Sequence, residues 1–384
     1  MAFCHFIPTK ILYGKGSLET LHEQKMPGRK ALIVISAGIS MKKYGYLKRV
    51  EEQLDKAGVM HVLFDRIQPN PMKAHVMEGA KLADAVGCDF VVGLGGGSSI
   101  DSAKAIAVMA TNPGDYWQYV EGEPLKKSPL PIVAIPTTAG TGTEADLWTV
   151  ITNEKTQEKR GFGCDETYPK IAVVDSDLMM TVPPRYTAFQ GFDALFHSTE
   201  GYLSNRADLF SDLYALKAIE LIGKNLRTAV ENGENEEARG NMALGSMISG
   251  FVESTAGCIS EHSIEHALSA KHPNLPHGAG LIMICEAYYR QFCSKGCCDE
   301  RFIQMAKALG NEKAEKPEDF VIALHELIKA CHVDDLKMSD YEILKEDLHA
   351  LRVDAMGSMG GNFKKDPAPL SGDEVEAILE VSYR

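Results

Sequence analysis

Apolar residues recur along the first half of the chain in short β-branched runs: KALIVIS, HVLFD, DFVVGLGGG, PIVAIPTT and IAVVD. Between the first four lie YLKRVEEQLDKAG, AHVMEGAKLADAVG and DSAKAIAVMAT, whose apolar positions follow helical spacing. That alternation predicts a parallel sheet covered by helices on both faces. After TVPPRYT at 181–187 the strand runs stop. GFDALFHSTEGYLS, DLFSDLYALKAIELIGKNL, EARGNMALGSMISGFVESTAG, GLIMICEAYYRQF, DERFIQMAKALG and PEDFVIALHELIKACHV all carry apolar residues three and four apart, so they read as helices. Pro183 and Pro184 can neither continue a helix nor serve a central strand. The chain therefore reads as an α/β domain over 1–182 and an all-α domain over 183–384, with no internal repeat.

At 384 residues, both domains are large enough to bury full cores. A formal charge of −13, with no basic run interleaved with aromatics, argues against a nucleic-acid partner. The most apolar stretches fall far short of the roughly 20 residues of a spanning helix, so no membrane partner is expected. The opening MAFCHFIPTK lacks the pattern of a secretory signal. Nine scattered cysteines without a Cys-x-x-Cys pair read as reduced thiols of a cytoplasmic protein.

Two loops in the first half carry a phosphate signal. VVGLGGGSSIDSAKAIA sets Gly95, Gly96, Gly97 and Ser98 between a buried strand and the first turn of a helix. Glycines let a backbone approach a phosphate closely, and the free amides of a helix start supply donors. The pattern is not G-x-G-x-x-G, since position 98 is serine. IPTTAGTGTE repeats the theme with hydroxyls, where Thr137, Thr138 and Thr141 can bond phosphate, ribose or carboxamide. Each loop alone also reads as an ordinary capped turn. Together, at the carboxyl ends of two strands of one sheet, they favour a nucleotide crevice.

The second half crowds four of the twelve histidines into HSIEHALSAKHPNLPH, residues 262–277. A helix puts residues four apart on one face, so Asp193 and His197 can aim at a single atom, as can His262 and His266. His277 follows Pro276 and opens the next apolar helix. A lone histidine is usually a packed core residue, and His272 need bind nothing. Three imidazoles and a carboxylate form a donor set of three nitrogens and one oxygen suited to Fe(II) or Zn(II), with room for a substrate oxygen.

Taken in order, FIPTKILYGKGSLETL, GGGSSIDSAKAIA, IPTTAGTGTE, VPPRYTAFQGFDALFHSTEGY and EHSIEHALSAKHPNLPHG span nearly the whole chain. They resemble the iron-containing, group III alcohol dehydrogenases, in particular the branch of the butanol dehydrogenases. The resemblance implies a Rossmann-like amino-terminal domain plus an all-α carboxyl-terminal domain, the dehydroquinate synthase-like architecture, with a metal in the cleft between them. It matches Asp193, His197, His262 and His277 to metal ligands and His266 to a nearby histidine that assists proton transfer. Asn70, Gly96, Gly97, Ser98, Asp101, Thr137, Thr138, Thr141 and Lys159 fall to the cofactor. Met179 departs from the family, which often has threonine there.

The implied activity is hydride transfer between a nicotinamide and a small primary alcohol or aldehyde, with Fe(II), Zn(II), Mn(II) or Ni(II) in one donor set. Two alternatives stand beside it. A dehydroquinate-synthase-like lyase needs a strongly basic pocket, which the residues around the histidines do not supply; a non-catalytic nucleotide- or metal-binding protein would not need intact ligands and loops. Ser36, at the end of KALIVIS, stands where relatives preferring NAD(H) carry an aspartate that repels a 2′-phosphate. With Lys42 and Lys43 near in sequence, NADP(H) is expected to be preferred and NAD(H) accepted. The strand-like opening MAFCHFIPTKILYG, with an edge to pair, together with the family habit, leads to the expectation of a homodimer.

Overall fold

A computed structural model of the chain describes residues 3–384. The five runs of the first half form parallel strands, and the opening segment adds a sixth: β1 (Lys10–Tyr13), β2 (Lys30–Ser36), β3 (Met60–Ile67), β4 (Phe90–Gly95), β5 (Ile132–Pro136) and, after a hairpin, β8 (Ile171–Val174). Their order in the sheet is β1-β8-β5-β4-β2-β3. Along β2, Leu32 and Val34 enter one core while Ala31, Ile33 and Ile35 enter the other. The alternation places apolar side chains on both faces, as expected of a covered parallel sheet. The covering helices of this half are α1 (Ser40–Lys43), α2 (Tyr46–Lys56), α3 (Lys73–Val86), α4 (Gly97–Met109) and α5 (Tyr116–Val120).

Two features of this half differ from the sequence reading. The hairpin β6 (Thr149–Asn153) and β7 (Glu158–Phe162) is an antiparallel ribbon outside the main sheet. Its strands, TVITN and EKRGF, mix polar and apolar positions and give no buried-strand signal. The opening segment is strand only over Lys10–Tyr13, paired with β8 at the sheet edge; residues 1 and 2 of it lie outside the described residues.

The second half is helical: α6 (Pro184–Leu203), α7 (Leu209–Glu231), α8 (Glu236–Thr255), α9 (Ser260–Lys271), α10 (His277–Lys295), α11 (Asp299–Ala308), α12 (Glu318–Ala330), α13 (Leu348–Met356) and α14 (Gly372–Ser382). The proline pair opens α6, with Pro183 as its cap and Pro184 in the first turn, where a missing N–H costs nothing. Asp208 caps α7 by accepting from the N–H groups of Phe210 and Ser211. One apolar core runs through this half, from Phe192 and Phe196 of α6 to Leu379 of α14.

By contacts the chain divides into two compact units. One comprises Ile7–Thr138 and Gly142–Thr181; the other gathers residues 3–6, Ala139–Thr141 and Val182–Arg384. Among the described residues no single helix is long and apolar enough to cross a membrane, although α8 and α9, bent by 105°, reach that length and composition as a pair.

Candidate metal centre and nucleotide loops

In the helical unit, α6 carries Asp193 and His197 one turn apart, both buried. His262 comes from α9, and His277 is the first residue of α10, held there by Pro276 at the cap. Gly278 lets that turn press against α6, since a Cβ on it would lie 2.1 Å from the Phe189 carbonyl oxygen. The Nε2 atoms of His197, His262 and His277 lie 3.8, 3.7 and 3.4 Å from a single atom, Asp193 Oδ1. Four donors about 2.1 Å from a tetrahedral ion are about 3.4 Å apart, so these spacings suit a shared divalent ion.

The unsatisfied atoms point the same way. Asp193 Oδ1 and His262 Nε2 are buried without a hydrogen-bond partner among the described residues. Burial alone would raise the Asp193 pKa, but the charges of the surrounding His197, His277 and His262 hold it down to about 2. Asp193 is therefore a carboxylate at neutral pH. Burial lowers the pKa of His197, which keeps that imidazole neutral and its lone pair available. The donors therefore fit a metal ion by geometry, with Asp193 charged and His197 neutral.

Two acids that the sequence reading missed complete the centre. Glu200 Oε1 bonds His262 Nδ1, and Glu265 Oε2 bonds His277 Nδ1. A carboxylate on Nδ1 fixes the ring and its tautomer, leaving the Nε2 lone pair to face the ion. The spacing held a signal, because Glu200 and Glu265 each stand three residues after a candidate ligand, His197 and His262.

His266 does not converge with His262 as equal spacing suggested. Its ring stands edge-on to that of His262, centroids 6.2 Å apart at 88°, and it groups with Glu265 and His277 instead. Four residues advance a helix by about 6 Å, which sets His266 beside the histidine cluster rather than on the same atom as His262. Both His266 and His277 are only partly buried, unlike His197 and His262.

In the α/β unit the sheet order reverses between β2 and β4, the kind of switch point where α/β sheets open a crevice. β4 ends at Gly95, whose φ of 142° lies outside the range of ordinary side chains. Gly96 follows as the extended cap of α4, with no side chain bonding the helix start and no acid in its first turn. The amides of Gly97 and Ser98 thus open a helix suited to an anion. β5 lies beside β4, and Thr137 donates its N–H to the Gly95 carbonyl at 2.9 Å. A Cβ on Gly96 would meet the Thr138 methyl at 3.2 Å, so the glycine and threonine loops touch.

Other expected cofactor residues are placed less simply. Asp101 is partly buried, its carboxylate accepting from Thr143 Oγ1 (2.7 Å) and the Val150 N–H (2.9 Å), so it braces the loop that follows the threonines. Thr141 is grouped with the helical unit, whereas Thr137 and Thr138 belong to the α/β unit. Asn70, at a left-handed φ of 51°, accepts from Lys159 Nζ at 3.3 Å. The hairpin makes that meeting, because Thr152 of β6 donates its N–H to the Pro71 carbonyl at 2.8 Å. Ser36 ends β2 as expected, but Lys42 is engaged by Asp65 at 2.5 Å and Lys43 lies over the Tyr44 ring.

Known proteins are similar to this chain in sequence and fold. Residues 8–176 match the family model for iron-containing alcohol dehydrogenase, and residues 187–383 match the model for the family's C-terminal part. Alcohol dehydrogenase 4 of Schizosaccharomyces pombe is 36% identical over 98% of this chain and 88% of its own length. The NADPH-dependent butanol dehydrogenase of Clostridium saccharobutylicum is 33% identical over 98% of this chain and 97% of its own. Among solved structures, an archaeal halo-thermophilic alcohol dehydrogenase from a Red Sea brine pool superposes with a TM-score of 0.92 at 32% identity, covering 100% of this chain and 99% of that one. With both halves of its sequence and its whole fold matched, the chain belongs to the iron-containing alcohol dehydrogenase family.

Proposed function

We propose that this protein moves a hydride between NADP(H) and a small primary alcohol or its aldehyde, with Asp193, His197, His262 and His277 holding a divalent ion, Fe(II) by family habit. The observation that carries this reading is the meeting of three histidine Nε2 atoms around one buried, partnerless carboxylate oxygen. Similarity to the butanol dehydrogenase supports the substrate class.

When bound, the ion supplies Lewis acidity to the alcohol or aldehyde oxygen, and the nicotinamide accepts or returns the hydride. The protein does the rest. Asp193 contributes the negative charge of the ligand set, and Glu200 and Glu265 hold the rings of His262 and His277 in the tautomer that presents Nε2. His266, at the partly exposed side of the cluster, takes the hydroxyl proton toward water as the carbon gives up its hydride. The amides of Gly97 and Ser98, with Gly96, Thr137 and Thr138, receive the cofactor's phosphates and nicotinamide half. Asn70 and Lys159 act as one polar pair, Thr141 adds a hydroxyl, and Asp101 positions the loop. Ser36 leaves room for a 2′-phosphate that an aspartate would repel, and NAD(H) serves less well. The enzyme works in the cytoplasm as a homodimer paired through the edge strand β1.

The test is consumption of NADPH by the purified protein with butanal, compared with the His262→Ala and His277→Ala variants. Net oxidation in the wild type alone is expected. An active metal-free protein would overturn the ligand set. For the cofactor, Ser36→Asp should reverse a preference for NADP(H) of at least about tenfold in kcat/KM. A wild type that prefers NADH removes Ser36 as the discriminating residue.

A further inference from the structure

α8 gives way to α9 through Gly257, whose φ of 72° is left-handed, and the turn carries Cys258 into the interior at 5% exposure. There the thiol meets the rings of His197 and His262, which stack with centroids 4.6 Å apart at 19°. One ligand atom each from His197, Cys258 and His262 lies within 4.8 Å of the other two. The cysteine is not the only sign of a ligand at this place. His197 Nδ1 and His262 Nε2 are both buried and have no hydrogen-bond partner among the described residues.

We propose that the centre offers one ion two alternative positions: the oxygen-bearing one already described, at Asp193, His197, His262 and His277, and a softer, sulfur-bearing one at His197, Cys258 and His262. The inference rests on the metal-binding reading of these histidines given above. His262 is common to both groups, and its Nδ1 is taken by Glu200, so only Nε2 is left to bind. An ion can therefore hold one position or the other at a time. Thiolate favours zinc, cobalt and softer ions, whereas carboxylate and imidazole suit Fe(II) and Mn(II). Binding at the sulfur-bearing position forms a metal–sulfur bond and releases the Cys258 proton to solvent, with no change of oxidation state. Zinc and cobalt held there are drawn away from Asp193 and His277, so Cys258 acts as a metal-selecting residue.

The full chain, stripped by chelation and loaded with one equivalent of zinc, is read by X-ray absorption at the metal. A sulfur shell at about 2.3 Å is expected, beside nitrogen at about 2.0–2.1 Å. The cobalt-loaded chain should show a thiolate-to-metal charge-transfer band that persists in Asp193→Asn and disappears in Cys258→Ser, while Cys258→Ser still retains one cobalt by element analysis. One bound ion with a nitrogen and oxygen shell alone overturns the sulfur-bearing position and leaves the ligand reading intact. A sulfur shell or band that survives in Cys258→Ser overturns it as well. A wild type that retains neither zinc nor cobalt overturns both.

Discussion

At the scale of single residues, burial moves an ionisable group wherever neighbouring charges do not outweigh it, as they do at Asp193. Glu144 is wholly enclosed, and burial, aided by the nearby Asp146, pushes its carboxyl up to about 7 from 4.5. Below pH 4.5 both folded and unfolded chains keep the proton, and nothing is lost. As pH climbs from 4.5 to 7 the unfolded chain ionises first, so stability falls, and above 7 the deficit is full at up to roughly 3 kcal/mol. Glu144→Gln removes the ionisation. Its melting temperature should exceed the wild type's at pH 8 and match it near pH 4.5 by calorimetry; equal curves at pH 8 would refute this account. Glu265 illustrates a different dependence, since its role passes through His277. Glu265→Gln should weaken metal binding by about 10–100-fold, measured by competition with a chelator, with little change in melting temperature of the metal-free protein.

Elements are placed by backbone approaches that only small residues permit. α10 delivers His277 because Gly278 lets its first turn lie against the Phe189 carbonyl. In Gly278→Ala the new methyl meets backbone rather than a movable side-chain end, so α10 must shift. A loss of about 1–3 kcal/mol is expected by denaturant titration, together with reduced metal content by element analysis. Full metal retention would show that the helix start tolerates displacement. On the α/β side, the β6–β7 hairpin does comparable work by bringing Lys159 to Asn70.

For the whole molecule, the separate cores matter. The sheet is packed on both faces and the helices share a core of their own, so folding does not need the ion. Chelation should abolish turnover yet leave the far-ultraviolet dichroism unchanged, while excess metal should raise the melting temperature through its binding alone. Collapse of the dichroism on chelation would make the ion structural. Association is the second prediction at this scale. β1 is a four-residue edge strand, and an unprotected edge invites pairing across a two-fold axis. Light scattering should give twice the mass of one chain; a single-chain mass at micromolar concentration would rule the dimer out.

Much of this protein is local in origin and so legible in its sequence. β2 and β4 read as strands because their short, β-branched apolar runs suit a sheet covered on both faces, and α6 begins where two prolines permit a start but not a continuation. Asp193 and His197 share a helix face by spacing alone. The glycine turn before α4 is readable because its backbone demand falls within a few residues. Tertiary structure alone decided the rest: the grouping of His266 with Glu265 and His277, the acids behind the imidazoles, the bracing role of Asp101, the engagement of Lys42 by Asp65 and the approach of Cys258 to the histidine stack. The physical reason is range. Periodicity records which face of an element is buried, whereas a contact such as that between Glu200 and His262, 62 residues apart, depends on how whole helices pack, and many sequences with the same periodicity would pack other side chains there.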